Sequence, residues 1–168
     1  PIDINESETR RLYILEHSDA RVAFCWEDEY EAIQDIRSRL PYLRHLVSLG
    51  KDSSSLLEIL GSPRPARPDS LASFHQGSLN DEALIVYTSG TTGPPKGVVL
   101  TVGNLLVDAH GIAEWHGFGK GHCLMCVLPI HHVNGIVVTL LTPFYGKGAS
   151  VLNRRFRQSK FWSRILDK

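Results

Sequence analysis

Short apolar runs alternate with amphipathic segments through the first third of the chain. Residues 21–26 and 43–49 are brief apolar runs, a pattern typical of strands. Ser7 is a favourable capping residue for a helix over residues 8–17, and acidic residues open a second helix over residues 28–40, which a proline ends. This order of helix, strand, helix and strand predicts an α/β fold, with a mostly parallel sheet flanked by crossover helices.

The later elements are predicted from turn residues, capping residues and apolar runs. Residues 62–80 begin with three closely spaced prolines, so they predict a long connection between an N-terminal α/β portion and the portion around residues 88–97, and we favour a surface loop over a domain linker. The further predicted elements are a helix at 53–61, strands at 83–86 and 98–100, a helix from Thr101 or Asn104 to His116, a buried strand at 122–128, a buried apolar helix at 133–145, a strand at 149–152 and a helix at 158–166.

Length and charge exclude several classes of function. A chain of 168 residues is enough for about one domain, and its 18 basic residues balance 18 acidic ones. That balance gives no electrostatic case for binding nucleic acid or an anionic membrane surface. The longest apolar run, residues 135–141, is far shorter than the ~20 residues that span a bilayer, and the polar residues 1–11 do not resemble a signal peptide. A cytoplasmic protein without a membrane span is therefore expected.

The three cysteines show no disulfide pattern, and two of them are spaced like half of a zinc site. Cys123 and Cys126 flank two apolar residues in a predicted buried strand, and the sequence contains no second pair of cysteines. We therefore favour small apolar side chains in a core over metal ligands at these positions.

A loop rich in glycine and hydroxyl side chains lies between the strands predicted at 83–86 and 98–100. Glycines let the backbone turn and approach a ligand closely, which leaves N–H groups to face an anion. The hydroxyls add hydrogen-bond donors, and the lysine adds a mobile positive charge that suits phosphate. We call residues 88–97 the phosphate loop. Its candidate phosphate-binding residues are Thr88, Ser89, Gly90, Thr91, Thr92, Gly93 and Lys96.

Two other interpretations of the phosphate loop fit its residues less well. A Walker loop has a glycine before its lysine, a hydroxyl after it and then a helix. Lys96 is instead flanked by Pro95 and Gly97 and is followed by a predicted strand. A plain hairpin turn calls for neither a lysine nor three clustered hydroxyls. The loop therefore predicts a phosphate site different from that of P-loop NTPases.

The phosphate loop carries a family resemblance. Residues 88–97 match every position of the signature of the AMP-dependent synthetase and ligase family, which includes acyl- and aryl-CoA synthetases, luciferases and adenylation domains. The likeness extends over residues 8–166 but covers only a middle portion of the family's length, and the later Gly-Tyr-Gly-x-Thr-Glu motif is absent. The chain thus resembles part of the large N-terminal domain of an adenylate-forming enzyme, which implies a partial AMP-binding domain over residues 1–168.

A second motif, which we call the histidine turn (residues 128–135), follows the strand predicted at 122–128. Ligands in open α/β sheets collect at the carboxyl ends of strands, although histidines in apolar settings are more often structural. The stretch resembles the family's second core motif, in which His132 and Gly135 match positions of the acyl pocket. Because neighbours at a strand end point to opposite faces, we predict that His132 faces the substrate and His131 packs inward.

The resemblance implies a two-step reaction. A carboxylate attacks the α-phosphate of ATP, which gives an acyl adenylate and pyrophosphate, and coenzyme A then takes the acyl group. ATP, Mg²⁺ and coenzyme A are the implied cofactors and co-substrates, and a fatty or aryl acid is the implied small carboxylic acid. The alternative is a non-catalytic nucleotide-binding module derived from the same family.

Two expectations concern the 168 residues on their own. The family's adenine-binding, magnesium-holding and carboxylate-orienting residues have no counterpart in the chain, so we expect it to be inactive in isolation. A partial sheet leaves an unpaired strand edge and apolar surface, so we also expect homo-oligomers.

Overall fold

The computed structural model describes residues 1–50, 77–88, 93–153 and 156–166. The helix predicted at 53–61 and most of the connection predicted at 62–80 lie outside these residues. The helices are α1 (Glu8–His17), α2 (Glu27–Ile36), α3 (Val102–His116), α4 (Val133–Ile136), α5 (Thr142–Tyr145) and α6 (Phe161–Leu166), with 3₁₀ turns at Arg37–Arg39 and Gln158–Lys160 and a π-helix at Val137–Leu141. The strands are β1 (Val22–Cys25), β2 (His45–Ser48), β3 (Glu82–Thr88), β4 (Lys96–Thr101), β5 (Cys123–Cys126) and β6 (Ala149–Leu152).

The described residues form two compact units, each with a parallel pair of strands. β1 and β2 pair in parallel in the first unit, and β5 and β6 pair in parallel in the second. Helices accompany both pairs, which confirms the α/β class and the parallel pairing. The first unit holds residues 2–50 and 93–96, and the second holds residue 1 and residues 77–88, 97–153 and 156–166.

In the first unit, α1 and α2 share one apolar core with β1 and β2. Side chains alternate along β1, so Ala23 and Cys25 are buried whereas Val22 and Phe24 are exposed. An ion pair of 2.9 Å between Arg11 and Glu29 links the two helices. The core consists of Leu12, Leu15, Ala23, Cys25, Ile33, Ile36, Leu40, Leu43 and Leu46.

The first helix begins as predicted, but the second is shorter than predicted. The Ser7 hydroxyl caps α1 by accepting a hydrogen bond from the Arg10 N–H at 3.3 Å. α2 ends at Ile36, and the chain tightens into a 3₁₀ turn before Leu40. Pro41 explains the difference, because a proline disfavours the α conformation in the residue before it, and Leu40 has φ −113° and ψ 84°.

β3 and β4 form a hairpin in which the phosphate loop connects the two strands. The N–H of Val102 donates to the carbonyl of Asp81 at 2.9 Å, and the N–H of Gly103 donates to that of Leu79 at 2.7 Å. The end of β4 therefore lies beside the start of β3, and the strands run antiparallel. This pair is the exception to the parallel pairing among the described strands.

Both predicted capping residues take part in starting α3. The Thr101 hydroxyl accepts from the Asn104 N–H at 3.2 Å, and the Asn104 side chain accepts from the Thr101 N–H at 3.0 Å. This reciprocal pair is a capping box, so the two candidates were not alternatives. The helix ends at Gly117, where a break was predicted.

β5 is shorter and less buried than the apolar run predicts. It covers Cys123–Cys126 rather than residues 122–128. Cys126 is buried, but Cys123 is exposed, and Leu128 beyond the strand is 46% exposed. The prediction of a buried strand was wrong at these positions, since an apolar run alone does not reveal which of its faces another element covers.

The helix predicted at 133–145 is continuous, but its middle turn is π-helical. α4, the π-helix Val137–Leu141 and α5 follow one another without a break. Pro143 has no N–H to donate to the carbonyl of Thr139, and its ring would clash with that carbonyl in a regular α-helix. The wider π turn avoids this conflict, and the Ser150 hydroxyl of β6 donates to the Thr139 oxygen at 2.6 Å.

None of the described helices has the length and apolarity of a membrane span.

Candidate functional site

The two strands of the hairpin carry both ends of the phosphate loop. Thr88 is the last residue of β3 and Lys96 is the first residue of β4, and both are exposed. The loop's remaining hydroxyls and one of its glycines, at positions 89–92, lie outside the described residues. The phosphate contacts predicted for Ser89, Gly90, Thr91 and Thr92 therefore stay predictions, as do those of Thr88 and Lys96.

The local structure explains why two positions in the second half of the loop are glycines. Gly93 has φ +121°, a conformation that residues with a Cβ rarely adopt. A Cβ on Gly97 would lie 3.2 Å from Ile85 Cγ2 and 3.2 Å from Tyr87 Cζ, tighter than ordinary contact. Gly97 thus lets β4 lie close to the side chains of β3 directly beside Lys96. The sequence suggested only that the glycines favour turning and close ligand approach.

The histidine turn leaves β5 and leads into α4. The N–H of His132 donates to the carbonyl of Pro129 at 3.2 Å, and the His132 carbonyl accepts from the N–H of Gly135 at 3.0 Å. His132 is the N-cap residue of α4, with φ −99° and ψ 145°. The structure therefore brings His132 and Gly135 together in one tight turn.

The two histidines differ in exposure, but not for the predicted reason. His132 is exposed and His131 is half-buried, with ring centroids 4.2 Å apart and planes inclined by 55°. β5 ends at Cys126, so both residues belong to a turn and not to a strand end. The argument from strand alternation was wrong, and the exposure of His132 follows from its place at the start of α4. Its contact with a substrate stays a prediction.

Gly135 is buried against the backbone of the preceding loop. A Cβ at this position would lie 2.3 Å from the carbonyl oxygen of Pro129 and 2.8 Å from its carbon. Only a residue without a side chain closes the turn at this distance, which gives Gly135 a structural reason independent of any ligand. Its place in an acyl pocket stays a prediction.

Two buried side chains contact the Gly135 carbonyl, and sequence reasoning missed both. The Thr139 hydroxyl donates to this oxygen at 2.6 Å. The Cys126 thiol lies 3.7 Å from the same oxygen and 3.3 Å from the carbonyl oxygen of Leu128. A threonine within a very apolar helix was the available signal, because its hydroxyl requires a partner when buried.

The Cys123–Cys126 pair is not arranged as half of a metal site. Side chains three positions apart on a strand point to opposite faces, and here Cys123 is exposed whereas Cys126 is buried. Among the described residues, no group of three or more His, Cys, Asp or Glu side chains comes together to hold a metal ion. Mg²⁺ binding therefore stays an implication of the family resemblance.

The third cysteine is buried in the core of the first unit. Its thiol lies 3.8 Å from the carbonyl oxygen of Val47. Burial raises the pKa of the Cys25 thiol, and the negative charge of Glu29 raises it further, while Arg11 opposes the change. A buried thiol with a raised pKa is poorly nucleophilic, so Cys25 is not a candidate catalytic residue.

A shallow groove of about 780 Å³ runs along α3 in the second unit. Its wall is largely apolar and includes Trp115, which is 86% exposed. The described residues of the phosphate loop and the histidine turn do not line it. The residues that line the groove include Leu79, Thr101, Val107, Gly111 and Trp115.

Known proteins similar to this chain are CoA ligases. A sulfoacetate–CoA ligase of Cupriavidus necator is 34% identical over 162 residues, which are 96% of this chain and 31% of that protein. A malonate–CoA ligase of Arabidopsis thaliana is 31% identical over 165 residues, which are 98% of this chain and 26% of that protein. The chain thus spans about a third or less of the length of these relatives.

The fold is shared with a solved structure, and the family match covers the whole chain. The crystal structure of ATP-bound MatB from Rhodopseudomonas palustris superposes with a TM-score of 0.75 and 22% identity, over 99% of this chain and 32% of that one. Such a likeness shows that the chain shares the fold of this part of that structure. The AMP-binding enzyme family matches residues 1–168. The chain belongs to the AMP-binding enzyme family.

Proposed function

We propose that the complete protein containing this chain is an AMP-forming acid–thiol ligase, which joins a small carboxylic acid to coenzyme A and uses ATP. The phosphate loop carries the proposal. Its sequence matches the family signature. Gly97, the last residue of the loop, lets β4 pack closely against Tyr87, and the exposed Lys96 directly precedes it. A hairpin of this kind supports a cation at a defined position, where phosphate oxygens can meet it.

The proposed reaction proceeds through an acyl adenylate. A carboxylate oxygen of the acid forms a bond to the α-phosphorus of ATP, and the bond from that phosphorus to pyrophosphate breaks. The thiolate sulfur of coenzyme A then bonds to the acyl carbon, and AMP leaves. In the first step negative charge grows on pyrophosphate, which Lys96 and the loop's hydroxyl and amide donors would stabilise and position.

The acid is proposed to be short and to carry a second acidic group. The two relatives described above are named for such acids, sulfoacetate and malonate. The exposed His132 offers an imidazole N–H that can donate to a carboxylate oxygen. A fatty or aryl acid, which the family motif also allows, is the competing substrate class.

ATP–pyrophosphate exchange by the complete protein tests this proposal. Sulfoacetate, malonate, a medium-chain fatty acid and benzoate serve as the panel of acids. Exchange with either diacid is the expected result, and exchange with the fatty acid or benzoate alone would overturn the proposed substrate class. ATP binding without exchange for any acid would instead favour a nucleotide-binding module.

A lysine substitution with a matched control tests the role of the phosphate loop. Lys96→Ala is expected to weaken transition-state stabilisation by ~1.5–3 kcal/mol, the range for a hydrogen bond to a charged group. This corresponds to a loss of roughly 10- to 150-fold in kcat/KM. Lys120→Ala removes another exposed lysine and is expected to leave kcat/KM unchanged. Equal kcat/KM values for the two variants would refute the assignment of Lys96.

A further inference from the structure

We infer that Thr139 and Cys126 are positioning residues for His132, through a buried hydrogen-bond cluster at the base of the histidine turn. This inference rests on the proposed function, because it concerns how the turn presents His132 to the carboxylic acid. Neither residue belongs to the phosphate loop or to the exposed part of the turn. Both are buried in the second unit.

The cluster connects both ends of the histidine turn. Cys126 is the last residue of β5, and its thiol lies 3.3 Å from the carbonyl of Leu128, where the turn begins. The same thiol lies 3.7 Å from the carbonyl of Gly135, where the turn ends. The Thr139 hydroxyl donates to the Gly135 oxygen at 2.6 Å and holds it from the helix side. The thiol has one hydrogen and can donate to one of these carbonyls at a time, while Thr139 donates to the second, so both side chains act on the two carbonyls that bracket the turn.

The position of Gly135 fixes the position of His132. Gly135 donates its N–H to the His132 carbonyl at 3.0 Å and packs directly on the Pro129 carbonyl. The Pro129 carbonyl in turn accepts from the His132 N–H at 3.2 Å. A shift of Gly135 thus disturbs two of the backbone partners of His132 together, and the third, the Ile136 N–H, follows it in the chain. Apart from the His131 ring, whose centroid lies 4.2 Å away, this backbone network locates the exposed imidazole.

The cluster is held in place by β6 as well. The Asn153 side-chain amide, just beyond β6, donates to the Cys126 carbonyl at 3.3 Å. Thr139 is held from the other direction, since its carbonyl accepts from Ser150 at 2.6 Å. The strand pair and the π-helix therefore form one rigid support, and displacement of a binding group by even 1 Å is costly to catalysis.

The test uses steady-state kinetics of the complete protein with three threonine variants. Thr139→Val keeps the side-chain shape and removes the hydroxyl, whereas Thr139→Ser keeps the hydroxyl. Thr142→Val is the matched control, because Thr142 is also buried, in the next turn, and its hydroxyl donates to the Val137 carbonyl instead, at 2.9 Å. Malonate and sulfoacetate are the acid probes.

Thr139→Val is expected to raise the KM for the acid about tenfold, with the KM for ATP within about twofold of wild type. Thr139→Ser is expected to restore the KM for the acid, and Thr142→Val to leave both constants unchanged despite a similar loss of thermal stability. Equal effects of Thr139→Val and Thr142→Val, or equal changes in the two Michaelis constants, would overturn the inference. If Thr139→Val does not fold, Cys126→Ala takes its place, with Cys126→Ser as the variant that retains a donor.

One further variant separates failure of this inference from failure of the proposed function. If His132→Ala raises the KM for the acid while Thr139→Val does not, the positioning role is wrong and the proposed function stands. If the wild-type protein exchanges pyrophosphate with no acid at all, both fall together.

Discussion

Replacing Gly135 by alanine is a sharp test of the architecture of the histidine turn. The added Cβ would stand 2.3 Å from the Pro129 carbonyl oxygen, 2.8 Å from its carbon and 3.1 Å from the Ile130 Cα, whereas ordinary contact begins at 3.4 Å. All three atoms belong to the backbone, so no flexible side chain can move aside. The turn must open by about 1 Å to relieve the overlap, a shift large enough to distort a close-packed interior.

The expected cost of Gly135→Ala follows from two terms. Overpacking of a buried site costs ~1–3 kcal/mol, and a backbone obstacle places this case near the upper end. The hydrogen bond from the His132 N–H to the Pro129 carbonyl is strained as well, a loss of up to ~1 kcal/mol. A total of about 3 kcal/mol lowers the melting temperature by roughly 6–12 °C for a chain of this size.

Thermal unfolding followed by circular dichroism measures this effect, and Gly111→Ala is its matched control. Gly111 lies within α3, and a Cβ there would meet nothing within 4 Å. The same substitution should therefore stabilise the chain by ~0.5–1 kcal/mol, the usual gain of alanine over glycine in a helix. A melting temperature of Gly135→Ala at or above that of wild type would refute the close approach of Gly135 to Pro129.

Four further outcomes are expected of the folded chain. A thiol reagent should modify Cys123 rapidly and Cys25 and Cys126 only on unfolding, as mass spectrometry of the labelled chain can show. Because the pKa of the Cys25 thiol is raised in the folded chain, this thiol loses its proton at a lower pH in the unfolded chain, near pH ~8.5. The free energy of unfolding should therefore fall as the pH rises above this value, and it should fall less steeply in Cys25→Ala, which urea titrations at several pH values can measure. Ser150→Ala should cost ~1–3 kcal/mol in the same assay, because the Thr139 carbonyl loses its donor, whereas an unchanged midpoint would contradict the account of the π turn. The 168 residues alone should show no ATP–pyrophosphate exchange and should self-associate in analytical ultracentrifugation, and exchange above background would contradict this expectation.

Features that depend on neighbouring residues were predictable from the sequence. The Ser7 cap, the capping box at Thr101 and the break at Gly117 all involve residues within three or four positions of one another. The same is true of the hairpin strands on either side of the phosphate loop, whose apolar runs are bounded by glycine and proline. Local turn chemistry therefore located these elements to within a few residues.

Features that depend on distant contacts were not predictable in the same way. The π turn arises from Pro143 and is completed by a hydroxyl on the following strand, 11 positions from the carbonyl it satisfies. The exposure of Cys123 depends on which faces of β5 are covered, and the buried role of Gly135 depends on the path of the preceding loop. The periodicity of apolar residues shows which face of a single helix or strand is apolar. It does not show which other element packs there, and the three features above depend on that packing.

The bond between Ser150 and the π turn has a consequence for variation within the family. A proline at position 143 has no N–H for the carbonyl four residues earlier, and here the Ser150 hydroxyl donates to that carbonyl from β6. The two positions should therefore covary: relatives without a hydroxyl at 150 should carry a residue with an N–H at 143.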